Sequence, residues 1–362
     1  MAAMAQTLGE GGAPGGAEEG LLERVLSTTA RASGSQEVAR INDDAMARFV
    51  EEGGVPLDKY RRASSRVALP LKFDDHSQEI NFHSLMALLS FGGANEPELS
   101  KLTGSSVEDA VKFGLIGSHL SRERLDATWM KNAHVGSVAE SFKIPVREDA
   151  PSTIPGVTVD RPGALVSHVQ AICSVLNETG EALLSRGYTD MAQFILHSAK
   201  SDPGVEGLAR SLCGALPAFG DTEVVNGCEV LMLKNAQQVL VGELCARIGP
   251  SVEDLRFGDA DKLTAVADAD VITFLIAVGI LEASHAVENG TETGADGASR
   301  VAFKAHDTAA LRAVAVQACH RLAKCLGDDY RPHELSLYLK RLSRRKEYKD
   351  VPRFVPKESL AL

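Results

Sequence analysis

The spacing of apolar residues is the feature that most constrains the fold of this chain. In most segments apolar side chains recur every three or four residues, which is the spacing of one face of an α-helix. Residues Phe82, Leu85, Met86 and Leu89 form one such set. The pattern lacks the alternation of strands and helices that a doubly wound sheet needs. The sequence therefore predicts an all-α, predominantly helical fold with one small β-hairpin.

The hairpin is predicted where Asn226-Gly227 separates the apolar runs Val224-Val225 and Val230–Leu233. Asn-Gly supplies the positive φ values that a type I′ turn needs. A helix should follow, because apolar residues again recur at helical spacing until Gly249-Pro250. Lys234 lies at this junction of strand and helix, so we expect the turn to direct its side chain.

Asp268 stands just before a very apolar run, Val271–Leu281. A carboxylate at such a position is either a helix N-cap, which stabilises by roughly 1 kcal/mol, or a functional group. Asp270 offers a second candidate for the cap. The residues alone leave both interpretations of Asp268 open.

The composition of the ends and of two internal segments divides the chain. We predict a single folded helical domain over residues 21–352, preceded by a disordered Gly/Ala/Glu-rich segment at 1–20 and followed by a tail at 353–362. Residues 145–162, rich in Pro, Thr and Asp, are predicted to form a surface loop or a linker. Residues 288–299 are polar and Gly-rich and are predicted to be a mobile insertion.

The charge of the chain argues against a polyanionic partner. The formal net charge is -11, whereas nucleic-acid affinity depends largely on neutralising phosphates. We therefore predict no direct nucleic-acid binding, although a small anionic substrate needs only a few local donors. One basic cluster is either a solvated helix end or a phosphate site; it comprises Lys340, Arg341, Arg344, Arg345, Lys346 and Lys349.

The cysteines and the hydropathy indicate the compartment. None of the 6 cysteines forms a CxxC pair, and most lie inside apolar periodic segments, as expected of small core residues in a reducing environment. There is no signal-peptide pattern and no apolar run long enough for a membrane span. The sequence predicts a cytoplasmic protein without a membrane partner.

The search for chemical motifs leaves one candidate metal set. No Walker A, GxSxG or HExxH motif is present. His76, Glu79 and His83 fall on one face of a predicted helix and carry zinc-ligand chemistry. Their spacing is not that of a tight metal motif, so a hydrogen-bonded helix start is the favoured interpretation and no metal is predicted.

Three collinear segments resemble the queuosine salvage protein family. They are Gln78-Glu-Ile-Asn-Phe82 with Leu89-Ser-Phe-Gly92, then Val175-Leu-Asn-Glu-Thr-Gly180, then Leu233-Lys-Asn-Ala-Gln237 with Leu263-Thr-Ala-Val-Ala-Asp268. The resemblance extends over residues 25–350. It implies a helical fold related to DNA glycosylases and hydrolysis of queuosine 5′-phosphate to release the base queuine, with no cofactor.

The resemblance also implies site residues. Asp268 matches the catalytic aspartate of a Phe-x-Asp motif, and Lys234, Ala236 and Gln237 match a Lys-x-Ala-Gln motif. The substrate-binding residues that it implies are Lys234, Val266, Glu334, Tyr338 and Asn81. Glu334 and Tyr338 match an Asp-x-x-x-Trp motif that lines the base pocket. We expect Asp268, Lys234, Glu334 and Tyr338 to converge on one cleft.

The sequence departs from the family pattern around the base pocket. Val266 replaces the motif phenylalanine, a pocket histidine is replaced near Pro70, and a basic-aromatic tail is lost after Arg353. The residues after Asp268 that replace an aromatic, an arginine and a proline are Ala269, Asp270 and Ile272. These departures leave open a second function, that of a non-catalytic family member that binds a nucleotide or base or acts as a scaffold. The oligomeric state is not indicated.

Overall fold

The protein is predominantly α-helical, which confirms the predicted fold class. The structure, a computed structural model, describes residues 19–34, 38–64, 71–151, 153, 158–284, 291–293, 299–303, 305–348, 351 and 353–356. Most of the predicted disordered segment, most of the predicted mobile insertion, Pro70 and the end of the tail lie outside these residues. Within them, no helix combines the length and the apolar character that crossing a membrane requires.

Fifteen α-helices are described, together with one π-helix, Lys234–Val241. The α-helices are α1 (Leu21–Ser33), α2 (Asp43–Glu51), α3 (Leu57–Ser64), α4 (His76–Leu88), α5 (Glu96–Thr103), α6 (Val107–Leu120), α7 (Ala127–Lys131), α8 (Val135–Phe142), α9 (Val166–Ser185), α10 (Met191–Ser201), α11 (Val205–Ala215), α12 (Gly242–Arg247), α13 (Ala269–Ala277), α14 (Ala305–Leu326) and α15 (Pro332–Ser343). Pro332 occupies the first turn of α15, where a missing N–H costs nothing.

Nine short strands accompany the helices. They are β1 (Ala39–Ile41), β2 (Arg147–Pro151), β3 (Thr158–Pro162), β4 (Thr222–Val225), β5 (Cys228–Leu231), β6 (Leu281–Ala283), β7 (Thr291–Thr293), β8 (Ser299–Phe303) and β9 (Arg353–Pro356). β1 pairs with β6, β2 with β3, β4 with β5 and β7 with β8, all antiparallel, whereas β8 and β9 are parallel. The predicted hairpin is confirmed as β4–β5, and its turn residues Asn226 and Gly227 have φ of 50° and 75°.

The other strand pairs were not expected from the sequence. The segment 145–162, expected to be a loop or linker, contains the β2–β3 pair, which Arg147 and Asp160 join by an ion pair of 2.5 Å. β3 is exposed along its whole length, so it shows no alternation of apolar and polar residues. The first residues of the expected tail form β9.

The six cysteines are all free. Cys173 and Cys319 are buried, as predicted for small core residues, whereas Cys228 and Cys325 are exposed.

The buried apolar residues form two clusters, and the chain crosses between them twice near the site. One cluster is built largely from α4 and α6–α11; the other is built largely from α13–α15 and β5. Leu263 belongs to the first cluster and Ala265 and Ala267 to the second, while Met232 belongs to the second and Ala236 to the first. Both Asp268 and Lys234 therefore lie where the two clusters meet.

Candidate functional site

Lys234 is held in place at both its backbone and its side chain. The preceding residue, Leu233, has a left-handed φ of 52°, a conformation that costs a branched side chain energy. The Lys234 N–H donates to Asp221 Oδ2 at 3.1 Å, and the ammonium donates to the Ser90 carbonyl at 3.3 Å. The side chain is 5% exposed. The predicted junction of strand and helix therefore carries a buried lysine whose side chain is held in one direction.

Asp221 and Arg312 support this lysine, and the sequence interpretation missed both. Arg312 is fully buried and donates to the two carboxylate oxygens of Asp221 at 3.0 and 2.5 Å. Asp221 also accepts the Met232 N–H on its backbone carbonyl at 2.9 Å. A buried arginine needs a partner, so the pair ties α14 to the end of the hairpin. The arginine within the apolar run of α14 was the sequence feature that could have indicated this buried ion pair.

Three hydrogen bonds fix the segment that leads to Asp268. Gln237 of the π-helix donates to Thr264 Oγ1 at 2.7 Å and accepts the Thr264 N–H at 3.3 Å. The N–H of Val266 donates to Ser336 Oγ at 2.8 Å. Val266 itself is buried. The two segments that carry the resemblance around Lys234 and Asp268 are therefore joined directly by the Gln237 side chain.

Asp268 is the N-cap of α13, which confirms the capping interpretation. Its Oδ1 accepts the Val271 N–H at 2.9 Å, while its Oδ2 lies 2.9 Å from the Lys340 ammonium. Other N-cap aspartates, Asp126 among them, make the same capping bond, but Asp268 is buried. The cap engages only one carboxylate oxygen, and the second oxygen forms the ion pair with Lys340.

The two lysines near Asp268 set its protonation. Burial by itself raises the pKa of Asp268, but the Lys340 and Lys234 ammonium groups and the Val271 N–H bring that pKa below its usual value. Burial lowers the pKa of Lys234 to about 8, although Asp268 opposes this shift. At neutral pH the site therefore presents an ionised carboxylate beside a lysine that can exchange its proton.

A chain of ion pairs extends from Asp268 towards solvent. Lys340 also lies 3.2 Å from Glu108 Oε2, and Arg344 lies 2.8 Å from both Glu108 and Asp270. Lys340 and Arg344 belong to the basic cluster noted in the sequence, so those two cations are paired with carboxylates in the structure.

Glu334 and Tyr338 lie on another side of α15. Glu334 accepts a hydrogen bond from Tyr60 at 3.1 Å, and the Tyr338 ring packs edge-on against Tyr60 with centroids 6.2 Å apart. Ser336 and Lys340, which contact Asp268 and the segment before it, each follow Glu334 and Tyr338 by two residues. Because each helical residue turns through about 100°, the two pairs lie about 200° apart around the helix axis. The four expected residues thus fall into two groups: Lys234 and Asp268 interact electrostatically, whereas Glu334 and Tyr338 both contact Tyr60.

A cavity of about 370 Å³ adjoins Glu334. Arg256, Arg331 and Arg341 contribute to its lining, and Leu263 and Leu337 supply apolar surface. Neither Asp268 nor Lys234 is among its lining residues.

Asn81 and the second resemblance segment make contacts between helices. Asn81 Oδ1 accepts the Ala192 N–H in the first turn of α10 at 2.7 Å. Asn177 donates to three carbonyls at the end of α7, and a Cβ added to Gly180 would lie 2.5 Å from the Ala127 carbonyl oxygen. These residues fix how α4 and α9 pack against their neighbours.

The histidines considered as zinc ligands point to different partners. His76 is exposed and lies 3.9 Å from Glu79, whereas His83 is buried and lies 3.9 Å from Glu243. All three residues of the set line a cavity of about 610 Å³. In the part of the chain that the structure describes, no three His, Cys, Asp or Glu side chains are grouped as a metal ion requires.

The sequence matches a family model described as queuosine salvage protein over residues 146–340, more than half of the chain. The chain belongs to the queuosine salvage protein family. A search of curated proteins finds no match. Membership of the queuosine salvage family confirms the resemblance seen in the sequence. The matched region contains Lys234, Asp268, Glu334, Tyr338 and Lys340, whereas Asn81 and Glu108 precede it.

Proposed function

We propose that the protein hydrolyses the N-glycosidic bond of queuosine 5′-phosphate and releases queuine for salvage into transfer RNA modification. The bond between ribose C1′ and the base nitrogen breaks, the oxygen of water bonds to C1′, and a proton is transferred to the base nitrogen. The products are queuine and ribose 5-phosphate. The observation that carries the proposal is Asp268, a buried carboxylate that two lysines keep ionised in a member of the queuosine salvage family.

Asp268 is the proposed catalytic residue because the reaction develops positive charge on the sugar. Cleavage of a glycosidic bond passes through an oxocarbenium-like transition state, which a preorganised carboxylate stabilises. The same carboxylate can orient the attacking water. The capping bond to Val271 fixes the direction of Asp268 without occupying Oδ2.

Lys234 is proposed to act either on the leaving base or on the phosphate. Queuine is a 7-deaza base, so it lacks the ring nitrogen at position 7 that many purine-releasing enzymes protonate. Hydrogen-bond donors at its other polar edges must therefore help it to leave. A lysine with a pKa of about 8 is a suitable proton donor near neutral pH.

Lys234 is the group that favours a nucleotide over a nucleoside. Arg312, Lys340 and Arg344 are each paired with carboxylates, namely Asp221, Asp268, Glu108 and Asp270. The Lys234 ammonium donates to the neutral Ser90 carbonyl, so it is the cation proposed to bind a phosphate monoester.

The remaining expected residues are proposed to act on the base or on the scaffold. Glu334 is proposed to accept from the base edge or its cationic amine, and Tyr338 to support Glu334 through the contacts that both make with Tyr60. Val266 and Asn81 are proposed to act through their hydrogen bonds to Ser336 and to the start of α10.

The test is direct detection of the products. Purified full-length protein is incubated with queuosine 5′-phosphate and, separately, with queuosine, and queuine and ribose 5-phosphate are quantified by mass spectrometry. We expect queuine release from the nucleotide and much slower release from the nucleoside. Saturable binding of the nucleotide without release of queuine would instead establish the alternative, a non-catalytic member that binds nucleotide or base.

A further inference from the structure

α15 contacts both the backbone before Asp268 and the Asp268 carboxylate. Ser336 accepts the Val266 N–H at 2.8 Å, and Lys340, one turn later, places its ammonium 2.9 Å from Asp268 Oδ2. Residues four apart lie on the same face of a helix. A single face of α15 therefore sets the position of Asp268 and neutralises its second oxygen.

The Lys340 ammonium lies between two carboxylates of very different exposure. It is 2.9 Å from Asp268, whose side chain is 11% exposed, and 3.2 Å from Glu108, whose side chain is 50% exposed. Arg344 holds Glu108 at 2.8 Å. A second carboxylate is thus already fixed in place for the ammonium, on the solvent side of the first.

We propose that Lys340 is a positioning residue for the glycosidic cleavage, which keeps Asp268 ionised in the free protein and shifts onto Glu108 when substrate enters. The proposal rests on the proposed function for the reaction that it serves. Because Oδ1 of Asp268 is engaged by the Val271 N–H, Oδ2 is the oxygen available to the sugar. The ammonium must leave Oδ2 for the sugar to approach, and Glu108 lets it leave without losing an ion-pair partner.

The surroundings of Asp268 make its charge depend on Lys340. Burial raises the pKa of Asp268, and the groups that oppose this are Lys340 first, then Lys234 from the π-helix. Cys319 of α14 also faces Asp268, and burial followed by the Asp268 charge raises the pKa of this thiol to about 12, so the thiol stays neutral. The charged groups that face Lys340 itself are Asp268, Glu108, Arg344 and Asp270. Loss of the Lys340 charge would leave burial opposed mainly by Lys234, so the pKa of Asp268 would rise.

The first experiment compares Lys340→Met and Lys340→Arg in the full chain. One readout is kcat/KM for queuine release across pH. The other is the titration of the Asp268 carboxyl ¹³C resonance, identified by its loss in Asp268→Asn. In Lys340→Met we expect the acid limb of kcat/KM and the resonance midpoint to move together to higher pH, by about one to three units. Lys340→Arg keeps the positive charge and should leave both near the wild-type positions.

The second experiment tests the exchange with Glu108→Gln. This variant keeps Lys340 but removes its second partner, so Lys340 should stay on Asp268 and kcat should fall by about ten-fold without any move of the acid limb to higher pH. Turnover equal to wild type would refute the exchange. An Asp268 resonance that titrates as in wild type in folded Lys340→Met would refute the proposal whatever the activity. If the resonance shifts but no form of the protein releases queuine, the proposed function fails and the electrostatic role of Lys340 stands.

Discussion

Replacing Asp268 with asparagine separates the catalytic role of this side chain from its structural role. Asparagine is as good an N-cap as aspartate, so its Oδ1 can still accept the Val271 N–H. The amide lacks the negative charge, however, and with its oxygen on the Val271 N–H its NH2 group faces the Lys340 ammonium, a donor against a donor. Lys340 retains Glu108 as a partner at 3.2 Å, and the buried Lys234 retains the negative charge of Asp221.

The expected loss of activity is far larger than the expected loss of stability. Removing one preorganised electrostatic group from an active site typically lowers turnover by about 10²–10³, or roughly 3–4 kcal/mol at the barrier. The free energy of unfolding should fall by no more than about 1 kcal/mol, the typical value of a whole N-cap. For a chain of this size that corresponds to a change of only about 1–2 °C in Tm.

The assay is queuine release from queuosine 5′-phosphate, measured with the Tm of each variant. Asp126→Asn makes the same change at the N-cap of α7, where Asp126 accepts the Trp129 N–H at 2.9 Å, and should leave turnover unaltered. Asp270→Asn, which removes the carboxylate that pairs with Arg344, should change turnover by a few-fold at most. Near-normal release by Asp268→Asn, or inactivity that follows unfolding, would show that Asp268 is only a cap.

Further predictions follow from the charges of the site. Arg312→Met leaves Asp221 buried without its bidentate partner and should lower the free energy of unfolding by about 3–5 kcal/mol in urea titrations; a loss below about 1 kcal/mol would contradict a structural role for the pair. If protonated Lys234 is the acting form, kcat/KM should fall as pH rises through about 8, since the ammonium loses its proton there. Lys234→Arg should abolish this fall at alkaline pH; if the fall persists in that variant, a group other than Lys234 causes it. Glu334→Gln should raise KM more than it lowers kcat if Glu334 contacts the base, and equal kinetic constants would remove it from the site. Intact transfer RNA should not bind at physiological salt, because the net charge is -11; a salt-dependent gel shift at submicromolar protein would overturn this.

Local signals in the sequence were sufficient for the hairpin, for most helices and for the position of Asp268. Asn226-Gly227 demands a particular turn, and an aspartate before an apolar run predicts a cap, because both depend on neighbouring residues. The ion-pair partners could not be found in this way. Lys340 reaches Asp268 across 72 residues, and Arg312 reaches Asp221 across 91. Such pairs depend on how α14 and α15 pack, which apolar spacing does not specify.

The β2–β3 and β8–β9 pairs were missed for a related reason. β3 is exposed throughout, and β9 pairs with β8 from far along the chain. Neither strand needs the alternation that identifies a half-buried strand in a sequence. The separation of Glu334 from Lys340 on α15 was in principle visible, since six residues correspond to about 240° on a helix.

The π-helix Lys234–Val241 makes this part of the chain intolerant of changes in length. Its hydrogen bonds span five residues, whereas those of the α-helix that continues it, Gly242–Arg247, span four. Deleting one residue between Asn235 and Val241 would let the segment form a regular α-helix, in which each residue turns through about 100°, more than in a π-helix. The side chains within the segment would then point in new directions, which would disturb the hydrogen bonds of Lys234 to the Ser90 carbonyl and of Gln237 to Thr264. Insertions and deletions that are harmless in surface loops should therefore abolish queuosine salvage when they fall in these eight residues.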